Sequence, residues 1–216
     1  MDLSIIDLEV VVTLLLLLLI GIGPKIALVP FLEKTKDFPP EEQRAIGRRM
    51  VKTAVVAAVI VYFTGAFLLR LLHITSGAVA VAGGIILALL AVKMALGSGD
   101  EVAHVAAAPA DPQKLAVYPL AVPYLFNPVG ITVLIIASES AESIAASALV
   151  LGLVLLVGAF DYLIFSNIDK VAQRMNPTSL VVSEIVFGVL LTAVAVQLFV
   201  LGLRLLGILE AAPAAH

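Results

Sequence analysis

The chain contains no cysteine, which excludes a disulfide framework and any thiolate-held metal. Its three histidines, His73, His104 and His216, are scattered along the sequence. No His-Glu-x-x-His run occurs, so neither a histidine metal site nor a zinc-hydrolase motif is expected. No persuasive pair of aspartates stands in for one, and neither an enzyme nor a cofactor nor a nucleic-acid partner is expected. Charge is scarce as well: 13% of the 216 residues are Asp, Glu, Lys or Arg, against about a quarter in soluble domains. What the chain has instead is apolar surface. Hydrophobic residues make up 62% of it and the mean hydropathy is +1.14. Such a chain needs lipid to cover it. Its first residues include Asp2, Asp7 and Glu9, where a signal peptide carries Lys or Arg, so the first apolar run is read as part of the mature protein.

Six runs meet the length of about 20 apolar residues that a spanning helix needs. They lie at 8–32, 47–69, 77–97, 115–137, 143–166 and 180–207. The basic residues set an orientation. Lys34, Lys36, Arg44, Arg48, Arg49, Lys52, Lys93, Lys114, Lys170 and Arg174 flank the first, third and fifth connections, and only Arg70 and Arg204 flank the other side. Positive residues collect on the cytoplasmic side, so those three connections are expected inside and both termini outside, in a prokaryotic inner membrane. The stretch 38–49, "FPPEEQRAIGRR", reads as a helix start, with acidic residues in the first turn and basic ones later.

An internal repeat appears at an offset of 104 residues. Gly23-Pro24 falls on Asn127-Pro128, Arg70 on Arg174, Thr75 on Ser179, and "GIILALLAVKM" (84–94) on "GVLLTAVAVQL" (188–198). Each half holds three spans, an odd number, so the halves must insert in opposite directions. The expected fold is therefore an all-α integral membrane protein: six transmembrane helices as a 3+3 inverted repeat. Residues 1–97 form the first repeat, 98–114 a cytoplasmic linker and 115–210 the second repeat.

Both repeats interrupt their first helix near the midplane. Proline removes a backbone donor and clashes with the preceding turn. In lipid such a break survives only when buried in protein or lining a cavity. Proline also suits the first position of a helix, with Asn or Gly before it as a cap. Gly23-Pro24 and Asn127-Pro128 thus read as the starts of two half-helices, whose N-terminal ends favour an anionic or dipolar group. Lys25 sits on the first of them, at a depth where a lysine costs about 2.5–3.5 kcal/mol. Two roles stand for it: holding a substrate carboxylate, or pairing with Asp161 or Glu184. In the second break, "VYPLAVPYLFNPVGIT" (117–132), Asn127, Gly130 and Thr132 are further candidates for solute contact, with capping the alternative for Asn127. Tyr124 is a candidate lining residue, while Tyr118 suits the interface. Gly83, Gly84 and Gly188 read as close-packing points between helices, and Lys93 as a snorkelling side chain.

At these residues the sequence resembles the MarC family of integral membrane proteins, which includes small neutral amino acid transporters. The resemblance rests on "GPKIALVPFLEKTKDFPPEEQRAIGRR" (23–49), "HITSGAVAVAGGIILALLAVKMALG" (73–97) and the 117–132 stretch, and covers nearly the whole chain. Relative to the family pattern, Asn and Gly are exchanged between the two breaks. Lys25 replaces an apolar residue, and Ile26 replaces a glycine. The resemblance implies a secondary transporter of a small polar solute, such as a small neutral amino acid, working by alternating access. Its site residues would be Gly23, Pro24, Lys25, Asn127, Pro128, Gly130 and Thr132, with Asp161 or Glu184 in an ion pair or in ion coupling; the coupling ion stays open. A channel for a small neutral solute is the alternative, and an accessory membrane protein without a solute is a further one. The expected partners are the solute and the bilayer, with self-association left open.

Overall fold

A computed structural model describes residues 8–95, 111–141, 143–173 and 177–209, and the described residues form helices without strands. The first apolar run yields α1 (Leu8–Gly21) and α2 (Pro24–Thr35), followed by α3 (Pro40–Leu72) and α4 (Ser76–Ala95). The second half opens with the short α5 (Pro112–Leu115), which leads into a proline-rich helical segment, Ala116–Leu125. Then come α6 (Pro128–Ser140), α7 (Ile144–Ser166), α8 (Ile168–Gln173) and α9 (Pro177–Leu205). Pro24 and Pro128, and likewise Pro40 and Ile144, start helices 104 residues apart, the offset seen in the sequence.

The helix boundaries follow local chemistry. Pro40 opens α3 with Glu41 and Glu42 in the first turn, where carboxylates complement the dipole. His73 closes α3 in the left-handed region, at φ 52°, and Ile74 N–H reaches back to Leu69 C=O at 3.0 Å. That is the geometry that satisfies orphan carbonyls at a helix end. Ser143 caps α7 by accepting from Ala146 N–H at 3.1 Å.

Four spans, Val10–Thr35, Pro40–Leu72, Ile144–Ser166 and Gly188–Leu205, are long and apolar enough to cross a bilayer, and the bent pair Pro112–Leu125 with Pro128–Ser140 makes a fifth. The third expected run forms α4, but its apolar part, Ser76–Val92, is shorter than these. Among the described residues, four spans therefore meet the requirement, or five with the bent pair counted as one. The surface agrees with a lipid setting: Phe63 and Phe67 are 65% and 64% exposed, and soluble proteins rarely leave so many large apolar groups uncovered together.

The two interrupted helices differ in shape. Both are broken at the expected residues, but α1 and α2 run on as one span, whereas the second pair bends by 69°. The reason is local. At the first break Ile22 N–H still donates to Leu18 C=O at 2.7 Å, so the helical path almost continues. The second carries Pro119, Pro123 and Pro128. The residues before the first two, Tyr118 and Val122, are extended, at φ/ψ −136°/129° and −132°/124°, because a following proline disfavours the helical region. The Tyr118–Pro119 and Val122–Pro123 bonds are cis.

Packing is built on small residues. α4 lies along α9, and a Cβ on Gly84 would come within 2.9 Å of Ala195 C=O; one on Gly202 would meet Gly77 C=O at 2.7 Å. α3 packs on α6, α7 and the proline-rich segment, and α1 packs on α6 and α7. The packing role expected for Gly83 and Gly84 is what they have. Gly83 lies against Thr132, where a Cβ would fall 2.1 Å from its Oγ1, and Gly188 is buried.

Candidate functional site

The two breaks meet. Asn127 is fully buried and takes the extended conformation of a residue before proline, φ/ψ −93°/172°. Its Oδ1 accepts from Val129 N–H at 2.8 Å and Gly130 N–H at 3.4 Å, capping α6. Its backbone N–H donates to Gly21 C=O at 2.9 Å and its Nδ2 to Ile20 C=O at 2.7 Å. One residue, through its side chain and its backbone N–H, thus satisfies the first donors of α6 and the last acceptors of α1, groups that would otherwise be orphaned in a dry interior. The backbones touch at this crossing: a Cβ on Gly130 would lie 2.5 Å from Gly21 C=O, and one on Gly21 2.4 Å from Gly130 Cα. Only glycine fits at either place. Nothing in the spacing of the sequence marked Gly21 as the partner of Gly130.

The first break is built differently. Gly23 is extended, φ/ψ −75°/164°, and offers α2 no side-chain cap. The exchange of Asn and Gly between the halves therefore closes the N-terminus of α6 with Asn127 and leaves that of α2 without such a cap. Pro24, Ile26 and Ala27 are buried, while Lys25, between them, is exposed.

The other expected residues lie elsewhere. Thr132, on α6, is buried against Gly83 of α4. Tyr118 is half exposed, as suits an interface residue, and Tyr124 is buried. Asp161 is fully buried on α7, and neither carboxylate oxygen has a hydrogen-bond partner among the described residues. A Lys25–Asp161 ion pair is therefore not formed: Asp161 faces the α3 contact of its helix, and Lys25 is exposed on α2. The side chains of Glu184 and Lys93 lie outside the described residues, as does most of the 98–114 linker.

Two features were not anticipated. The first is a cleft of about 840 Å³ between α1, α6, α7 and α9. Its lining is apolar apart from Thr13, Ser140 and Gln197, and its inner end reaches Val129 in the first turn of α6, beside the crossing. It lies toward the start of α7. The second is at the opposite end of α7. There Arg44 holds Asp169 through Nε at 2.8 Å and through Nη2, the Phe31 and Phe165 rings lie tilted with centroids 5.1 Å apart, and Gly47 lies so close to Phe165 that a Cβ would be 2.9 Å from its Cβ. The Arg44 guanidinium holds the Asp169 carboxyl below the usual carboxylate range, against the opposing effect of burial. The Arg44–Asp169 pair and Phe165 thus tie α3 to α7 and α8 at one end, and the cleft lies toward the other end of α7. Among the described residues no cluster of His, Cys, Asp or Glu could hold a metal.

Lipid-facing helices, interrupted elements crossing at buried glycines and an apolar cleft ending at the crossing define a polytopic helical membrane protein with irregular backbone kept inside protein. The sequence matches the MarC family of integral membrane proteins over residues 8–206, and the chain belongs to that family. Curated relatives match over nearly their full length. A UPF0056 membrane protein of Methanocaldococcus jannaschii is 28% identical over 85% of this chain and 90% of its own. One from Pyrococcus abyssi is 24% identical over 86% and 90%, and the UPF0056 inner membrane protein YhgN of Escherichia coli is 27% identical over 91% and 97%. No solved structure matches.

Proposed function

We propose that this protein is a secondary transporter of a small polar solute, such as a small neutral amino acid, working by alternating access between two inversely oriented three-helix halves. The observation that carries this reading is the cleft that ends at Val129, beside the crossing of the two interrupted helices. Broken helices at the contact of two repeats are where transporters bind solute. Here α2 offers a helix start without a side-chain cap, beside Lys25, which suits a carboxylate. Pro24 and Pro128 set the two helix starts, Asn127 and Gly130 join the start of α6 to the end of α1, and Thr132 packs α6 against Gly83 of α4. The cleft on one side and the seal at Arg44–Asp169 and Phe165 on the other favour a transporter over a channel, because a channel needs a path open to both sides. With the basic connections in the cytoplasm of a prokaryotic cell, the cleft faces outward and both termini lie outside.

The test is uptake of labelled glycine and alanine into proteoliposomes under imposed proton and sodium gradients, comparing the parent with Lys25→Met. Accumulation above equilibrium that the substitution abolishes is the expected result. Accumulation unchanged in Lys25→Met would remove the lysine from the mechanism. Downhill flux without accumulation by the parent would replace the transporter with a channel.

A further inference from the structure

Resting on the transporter reading, we infer that Asp161 is the site at which a coupling proton is bound and released. It lies in the contact between the two halves. Along α7, Gly158 faces Val55 of α3, where a Cβ would be 2.4 Å from Val55 Cγ2, and Phe165 faces Gly47. Asp161 sits between these contacts, opposite a part of α3 whose inward residues, Met50, Val51 and Ala54, are buried and apolar. Both of its oxygens are buried without a hydrogen-bond partner among the described residues. A carboxylate charge buried alone is among the costliest arrangements a protein can hold, and a bound proton removes it.

The titratable groups on neighbouring elements do not offset such a charge. On α3 these are Glu41, Glu42, Arg44, Arg48, Arg49 and Lys52 toward the Asp169 end, and Tyr62 and Arg70 farther along. On α8 they are Asp169 and Lys170, and α1 carries only Glu9, in its first turn. None hydrogen-bonds to Asp161. Arg44 is already bound to Asp169. Among the described residues Asp161 belongs to no acidic cluster that could hold a metal, and a single carboxyl suits a proton, not a metal ion.

Two further oxygens, Ser166 Oγ at the end of α7 and Asp169 Oδ1 on α8, are buried without hydrogen-bond partners among the described residues. Rocking of one half on the other opens the contact that holds Asp161 and gives it water. Closing the contact on the protonated acid carries one proton, and one positive charge, with each neutral solute.

The experiment uses the full chain in proteoliposomes with alanine, measuring accumulation under a pH gradient and solute exchange without one, in the parent, Asp161→Asn and Asp161→Glu. One proton per solute gives about tenfold accumulation per pH unit. The expected result is that Asp161→Asn loses this accumulation but keeps exchange, while Asp161→Glu recovers part of it. Accumulation by Asp161→Asn equal to the parent overturns the proposal. If the parent moves no alanine, the transporter reading fails separately, and the infrared spectrum of the protein in lipid decides the site. A pH-dependent carboxylic-acid band missing from Asp161→Asn upholds it, and identical spectra overturn it. If Asp161→Asn fails to fold, Asp161→Glu takes its place in the infrared measurement, where an unshifted band overturns the proposal.

Discussion

Asn127 concentrates more of the structure than any other polar side chain described. It caps α6 and bonds the end of α1, so Asn127→Ala loses a cap worth about 0.5–2 kcal/mol and strands a buried carbonyl at about 1–3 kcal/mol. The expected destabilisation is of the order of 2–4 kcal/mol, read as a lower unfolding temperature in detergent. Asn127→Asp keeps the cap acceptor and loses only the donor to Ile20, so it falls between Ala and the parent. The glycines divide in the same way. Gly130→Ala has no room, because its neighbour is the Gly21 carbonyl and backbone cannot step aside. Gly152→Ala meets nothing within 4 Å and is expected to be neutral or slightly stabilising. Equal thermal stability of the two alanine variants would contradict the crossing described above.

At the scale of elements, the α3–α7–α8 end depends on the Arg44–Asp169 pair. Hydrogen bonding to Arg44 depresses the folded-state pKa of Asp169. The stability this contributes is therefore present above the ordinary carboxylate pKa, about 3.9, and is lost as the pH falls through the lower, folded-state value. Asp169→Asn is expected to flatten the acid limb of the stability curve and to leave its neutral-pH shape otherwise unchanged. Thermal unfolding across that range checks it, and an acid limb as steep as the parent's would assign the effect to other carboxylates.

At the scale of the whole molecule, the orientation is open to direct measurement because the chain has no native cysteine. Cysteines placed singly at Lys36 and Ile74 lie in the connections before and after α3, and both positions are exposed. With the basic connections inside, a membrane-impermeant maleimide added to intact cells labels Ile74→Cys and spares Lys36→Cys. The reverse pattern would turn the protein over and place the cleft toward the cytoplasm.

How much of this was legible in the sequence differs from residue to residue. Apolar run length located the helices, since a bilayer leaves few other ways to satisfy a backbone. Pro24 and Pro128 fixed the two breaks, because proline acts through its own ring and missing donor. Small-residue packing at Gly83 and Gly84 was readable for the same local reason. The sequence by itself thus determined class, family and the sites of interruption. Only the tertiary structure decided that Gly21 meets Gly130, that Asn127 spends its amide on Ile20, that Asp161 has no partner among the described residues, and that one helix bends by 69° while the other stays a single span. Those are relations between elements more than a hundred residues apart or sums of several prolines acting together. They depend on how side chains share a finite interior, and no local pattern encodes that.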